Sequence, residues 1–487
     1  MESIVTPEVK ELIKRFRDIW SINYAMSLLG WDMETYMPPA GFKERGEVRG
    51  NLKIQMQRMY THPEFISLVE NAKPQNDVER GIIRILKRDL KYYTRLPREF
   101  LEEEERTVAE AFQVWKEAKE KSDFSMFKPV LDRIVDLQRR KADYLGYEEH
   151  PYDALLDLYE EGLTVKKCER MFSVVPQISD LFKRAMERYP EKHPLEEREY
   201  EEVLLRRLIE YVLTVLGFDF SRGRVDTSPH PFTVEMGLYD IRITVRYEGK
   251  DFRRALMAAV HEFGHATYEM NISEELWATP VQKGVSLGIH ESQSRFWENV
   301  VGRSKHFVDR FYDGMIIALP FLRDFDKEEV YRYLTLIRPE LIRVEADEVQ
   351  YVLHIYLRYR IEKGLIEGDL KVEELPQIWN DTMEELIGVR PPNDRLGVLQ
   401  DIHWAHASIG YFPTYAIGSM LAAQFYRSLN VGPLLEEKDF RRIMDLLREK
   451  IHRWGSVYPP DELVKMASGD YLNPENFLAY LREKYLS

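Results

Sequence analysis

Asp251-Phe-Arg-Arg-Ala-Leu-Met-Ala-Ala-Val-His-Glu-Phe-Gly-His-Ala-Thr-Tyr-Glu-Met270 decides how this 487-residue chain is read. Placed at about 100° per residue, Phe252, Leu256, Ala259, Phe263, Ala266 and Met270 fall within an arc of roughly 80°. His261 and His265 lie about 180–220° away, on the opposite side of the helix. One stripe is core, and the histidines face elsewhere. Histidines at i and i+4 stand one above the other and can bind a single metal ion, with Glu262 beside them. Two imidazoles and a nearby carboxylate suit Zn²⁺ in a site left open to water. Such an ion brings the pKa of its water toward about 7, and a neighbouring carboxylate removes the proton for attack on a carbonyl. That is amide hydrolysis without a covalent intermediate. A chance H-E-x-x-H on a merely solvated face arises in roughly three chains per hundred of this composition, and the helical context argues against it.

Working outward, the site needs a third ligand. Glu269 lies eight residues from His261, about 12 Å along the axis, too far for one ion held by both histidines. The next helical stretch, Gly288-Ile-His-Glu-Ser-Gln-Ser-Arg-Phe-Trp-Glu-Asn-Val300, offers Glu291 and Glu298. They are seven apart on one face, and spacing alone does not choose between them. Upstream, Tyr239-Asp-Ile-Arg-Ile-Thr-Val-Arg-Tyr247 alternates apolar and polar residues. Period two with β-branched residues predicts a strand, with His230–Gly237 as its hairpin partner. A small sheet therefore precedes the histidine helix.

The rest reads as helix. Apolar residues recur at three-to-four spacing over Pro7–Leu29, Asp77–Tyr93, Pro97–Lys121 and Pro339–Lys363, the last starting at Pro339 and closing at Gly364. No linker or repeat divides the chain. We expect one domain over 1–487, with an N-terminal helical part of about 1–190 and a catalytic part of about 200–487, parted at the break Tyr189–Pro194. Apolar residues are 44% and aromatics 12%, which excludes disorder. A net charge of −14 without a basic cluster argues against nucleic acid and anionic membrane as partners. The lone Cys168 allows no disulfide. The uncharged run Ile402–Tyr426 is long enough to span a bilayer, but its histidines, Pro413 and Gln424 point to burial in protein. With no apolar signal core at the N-terminus, the expected location is cytoplasmic.

The chain resembles the carboxypeptidase Taq family, peptidase family M32. The resemblance rests on an ordered set: Trp31-Asp-Met-Glu-Thr-Tyr-Met-Pro38, Tyr152-Asp-Ala-Leu-Leu-Asp157, His230-Pro-Phe232, Asp240-Ile-Arg-Ile-Thr244, His261-Glu-Phe-Gly-His265, His290-Glu-Ser-Gln293, Ile342-Arg-Val-Glu-Ala-Asp347 and Gly397-Val-Leu-Gln-Asp-Ile-His-Trp404. It implies a mainly α-helical metallopeptidase with a deep central groove and a small sheet beside the active-site helix. It implies removal of single residues from peptide C-termini with broad tolerance, and a homodimer. Among the glutamates it selects Glu291 as third ligand to His261 and His265, with Glu262 as general base. The implied cofactor is one Zn²⁺ per chain, with Co²⁺ as an alternative.

Further residues take their roles from the same resemblance. Arg343, Asp347, Gln350, His354 and Arg358 form a stripe on the helix expected from Pro339. Alone they read as a solvated face with an Arg–Asp pair contributing about 0.3–0.5 kcal/mol. The family motif instead supplies here an arginine, Arg343, that holds the substrate's terminal carboxylate, a planar two-point match. Related metallopeptidases place a histidine and a tyrosine where the oxyanion develops, and His403 with Tyr411 or Tyr415 matches that arrangement. Asp240 and Arg242, on the polar face of the strand, are candidates for flanking the substrate groove. Trp31, Asp32 and Glu34 are read as structural. Two other readings compete: a helical metallo-oligoendopeptidase, which has no need of Arg343, and a non-catalytic peptide-binding protein with a structural metal, which has no need of Glu262.

Overall fold

The computed structural model describes residues 5–487. The first four helices, α1 (Pro7–Thr35), α2 (Phe42–Tyr60), α3 (Pro63–Asn71) and α4 (Asp77–Arg95), gather a small core of their own. Val9, Leu12, Phe65, Ile82 and Leu86 fill it, and Leu238, Ile272, Val281 and Val457 dock it onto the rest. Local chemistry sets the ends: Pro7 occupies the first turn of α1, and the Asn76 side chain accepts the Glu79 N–H to start α4. From α5 (Arg98–Lys121) and α6 (Phe124–Leu145) onward, the remaining elements share one large core.

The expected hairpin is present and gains a strand. β1 (Gly223–Thr227), β2 (Thr233–Gly237) and β3 (Asp240–Val245) form a sheet of order β1-β3-β2. β2 and β3 pair antiparallel, with a register shift between Glu235 and Gly237, and β1 pairs parallel to β3. Ile241, Ile243 and Val245 are fully buried and lie in the core shared with the histidine helix, Phe252–Met270. Asp240 and Arg242 occupy the other face, where α1 lies.

Three further helices complete the site: Leu287–Arg295, continued by a π-helical turn Phe296–Gly302; Tyr351–Glu367; and Pro413–Ser428. The second of these helices corrects two expectations. It starts at Tyr351 rather than Pro339, because Asp347 Oδ1 accepts the N–H groups of Val349 and Gln350 at 2.9 and 3.0 Å and fixes a turn there. Arg343 therefore sits in a 3₁₀ turn outside the helix, and no Arg343–Asp347 pair forms. The helix also runs past Gly364 to Glu367 and stops at Gly368, whose φ of 94° suits glycine. The uncharged run Ile402–Tyr426 is an irregular segment followed by the Pro413–Ser428 helix, largely buried in protein. Among the described residues no helix is long and apolar enough to cross a membrane.

Candidate active site

Two glycines decide how closely the helices of the site approach. A Cβ at Gly264, inside the His-Glu-Phe-Gly-His segment, would lie 2.4 Å from the Gln293 carbonyl oxygen. A Cβ at Gly418 would lie 2.4 Å from Glu291 Cγ. The histidine helix and the Pro413–Ser428 helix thus both pack closely against the Leu287–Arg295 helix, and Gly418 leaves room for the Glu291 side chain. Glu160 steadies the start of that helix by accepting the Gly288 N–H at 2.7 Å.

His261, His265 and Glu291 converge, with one donor atom from each lying within 4.8 Å of the others. Glu291 Oε2 stands 3.6 Å from His261 Nε2 and 3.3 Å from His265 Nε2. Each imidazole is held at its other nitrogen: His261 Nδ1 pairs with Glu298 Oε2 at 2.9 Å, and His265 Nδ1 pairs with His290 Nδ1 at 2.7 Å. Glu298 thus stands behind His261, and the π-helical turn is what brings it there. Arg295 joins the two carboxylates, reaching Glu291 Oε1 at 2.7 Å and Glu298 Oε2 at 3.3 Å. Burial alone would raise the pKa of both acids, but Arg295 and the histidines outweigh it and hold both below the ordinary carboxylate range. Two Nε2 atoms and an ionised oxygen facing one point, each backed by a second contact, form a donor set that fits a divalent ion.

Glu262 is buried beside this set, and burial pushes its carboxyl pKa upward against the opposing pull of His261 and Thr233. Thr233 Oγ1, on edge strand β2, donates to Glu262 Oε2 at 2.6 Å and fixes its position. The small sheet therefore serves the site through Thr233. Asp240 and Arg242 form their side-chain hydrogen bonds elsewhere, with each other and with Tyr24. They close on each other at 2.7 and 2.8 Å, and the Arg242 guanidinium lies 4.2 Å from the Trp31 ring centre on the α1 side. Trp31 of α1 thus packs against this face of the sheet.

The remaining candidates form a second cluster. His403 Nε2 stands 3.2 Å from the Tyr415 hydroxyl, and its ring centre is 5.4 Å from that of Tyr411. Burial pushes His403 down to about 4, so the imidazole is neutral near pH 7. The Arg343 guanidinium lies 5.0 Å from the Tyr415 ring centre and donates from Nε and Nη2 to Asp401 Oδ1 at 3.0 and 2.9 Å. Asp401 Oδ2 also accepts Arg358 Nε at 2.6 Å. A cleft of about 480 Å³ has His261, Glu262, Arg295, Val344, Asp347 and Tyr351 in its wall.

Sequence reasoning missed the supporting layer: Glu298 as the partner of His261, His290 and Glu269 behind His265, Thr233 on Glu262, Arg295, and Asp401. His290 Nε2 meets Glu269 Oε1 at 2.7 Å, so the glutamate ruled out as a ligand by distance ends a chain of contacts that orients one. The available signal was that Glu298, Arg295 and His290 share one short segment with Glu291.

A family model described as Carboxypeptidase Taq (M32) metallopeptidase matches residues 11–485. The chain is 48% identical to thermostable carboxypeptidase 1 of Pyrococcus furiosus, covering 100% of both sequences. It is 37% identical to carboxypeptidase 1 of Bacillus subtilis, covering 98% of this chain and 97% of that one. The solved Apo-Mg structure of Pyrococcus furiosus carboxypeptidase matches with a TM-score of 0.96 and 47% identity, over 99% of each chain. These findings favour neither the oligoendopeptidase nor the structural-metal reading. The chain belongs to the carboxypeptidase Taq (M32) metallopeptidase family and is a metallocarboxypeptidase, a peptide hydrolase acting on C-termini.

Proposed function

We propose that the enzyme releases single amino acids from peptide C-termini with broad side-chain tolerance. In this reading His261 Nε2, His265 Nε2 and Glu291 hold one Zn²⁺ per chain, with Co²⁺ able to replace it. The observation that carries it is the convergence of these three donors while the second nitrogen of each histidine is engaged elsewhere. A divalent ion bound there supplies Lewis acidity, lowering the pKa of a water and polarising a carbonyl.

The chain's own residues do the rest. Glu262 takes a proton from the attacking water and passes it to the leaving amine, with Thr233 keeping Oε2 in place. His403, with Tyr411 or Tyr415, presents N–H and O–H donors where negative charge develops on the scissile carbonyl. Arg343 receives the terminal carboxylate. Two buried guanidiniums, Arg343 and Arg358, share the single carboxylate of Asp401, and the neighbouring His403 is neutral. The cluster thus carries a surplus positive charge, which a bound anion compensates. Family membership, acidic composition and the single cysteine support a cytoplasmic homodimer of one domain acting on free-ended peptides.

The test is to follow by mass the products from an N-blocked peptide of several residues. Stepwise loss from the C-terminus, abolished by chelation and restored by zinc, is expected. Cleavage at internal bonds would refute it.

A further inference from the structure

Resting on the reading of Arg343 as the carboxylate clamp, we propose that the Tyr351 hydroxyl is a second ligand of the substrate's terminal carboxylate and acts as a pair with that guanidinium. Arg343 uses Nε and Nη2 on Asp401, so the edge facing Asp401 is filled. The remaining nitrogen, Nη1, donates to the Tyr351 hydroxyl at 2.9 Å. That hydroxyl is engaged as an acceptor, and its own proton meets no acceptor among the described residues. Tyr351 is 4% exposed and lines the cleft together with His261, Glu262 and Arg295. A desolvated O–H beside a guanidinium N–H offers one donor to each oxygen of a carboxylate, and hydrogen bonds to an ionised acceptor are the strong ones.

The position of Tyr351 also gives the pair a fixed reach. It opens the Tyr351–Glu367 helix, so its backbone is anchored. The Arg295 guanidinium lies 4.2 Å from its ring centre, and Arg295 in turn holds Glu291. Arg343, Tyr351, Arg295 and Glu291 form one continuous contact path from the clamp to the metal cluster. A carboxylate bound by the pair is therefore tied, through Arg295, to the side chain of Glu291.

Tyr351→Phe tests this, because it deletes the hydroxyl and keeps the ring under Arg295. The substrates are an N-blocked dipeptide with a free C-terminus and the same peptide as its C-terminal amide, with Arg343→Ala run in parallel. For the free acid, kcat/KM is expected to fall about 10- to 100-fold, mostly through KM, with unchanged metal content and a far smaller loss on the amide. The Arg343→Ala/Tyr351→Phe double variant should fall by less than the product of the two single losses, since both groups serve one carboxylate. Parent-like kinetics in Tyr351→Phe while Arg343→Ala keeps its selective loss would overturn the inference and leave the Arg343 reading standing. Equal losses on acid and amide would also overturn it, showing a structural hydroxyl. Parent-like discrimination in Arg343→Ala would overturn the Arg343 reading and this inference with it.

Discussion

Replacing Gly264 with alanine adds one methyl group between His261 and His265, and the contact geometry sets its consequence. The new Cβ would lie 2.4 Å from the Gln293 carbonyl oxygen, 2.5 Å from Ser294 Cα and 2.7 Å from the Gln293 carbonyl carbon. All three are backbone atoms, so no side chain can turn aside. Reaching an ordinary 3.4 Å contact requires the two helices to part by about 1 Å. Glu291 lies two residues before Gln293 and moves with it, whereas metal–ligand distances tolerate only about 0.2 Å. Over-packing of this kind costs about 1–3 kcal/mol of stability. We therefore expect Gly264→Ala to lose about that much in urea unfolding and to bind zinc about 10- to 100-fold more weakly in competition with a chelator. Parent-like zinc affinity in a folded Gly264→Ala protein would refute the idea that this helix crossing fixes the ligand geometry.

Other variants probe separate layers. Glu298→Gln should weaken zinc binding about 10- to 100-fold without abolishing it, since it disturbs only the Nδ1 contact of His261; complete metal loss would make Glu298 a ligand. Arg343→Ala should lower kcat/KM for free-acid peptides roughly 30- to 1000-fold with metal content unchanged, and an equal effect on amidated peptides would remove the clamp. Buried His452 is pushed down to about 3 by burial, and its Nδ1 and Nε2 face Asn271 and Gln293. Its folded pKa lies below the unfolded value of about 6.5, so its contribution is present above that pH and is lost as pH falls. Between about pH 6.5 and 5 the loss is about 2 kcal/mol, and His452→Gln should flatten the stability curve by that amount in urea titrations; an unchanged slope would contradict the assignment.

The fold was legible where periodicity is strong. The α1 and α4 helices, the β2–β3 hairpin and the histidine helix lie where the apolar spacing puts them, within a few residues at their ends. The helix expected from Pro339 failed because Pro at a first turn and a polar stripe at i, i+4 look alike whether or not the backbone winds there. Asp347 instead takes the N–H groups of Val349 and Gln350 in a local Asx turn, a short-range signal that the apolar spacing does not register. The histidine pair and its base were readable because a helix fixes their relative positions. The choice between Glu291 and Glu298 was not readable from spacing, because a π-helical turn and the approach permitted by Gly264 and Gly418 decide which carboxylate faces Nε2. Asp240 and Arg242 show the converse: strand alternation correctly predicted a shared polar face, but not that Trp31 would cover it.

The central claim is that Glu262 is the proton acceptor of a metal-dependent exopeptidase and not one of the metal's ligands. Glu262→Gln keeps size and hydrogen bonding and removes the basic site. Metal analysis of that variant, paired with mass detection of released C-terminal residues, tests the claim most directly. About one bound metal per chain is expected, with hydrolysis reduced by several orders of magnitude. A variant that has lost its metal, or one that still releases residues at close to the parent rate, would contradict it.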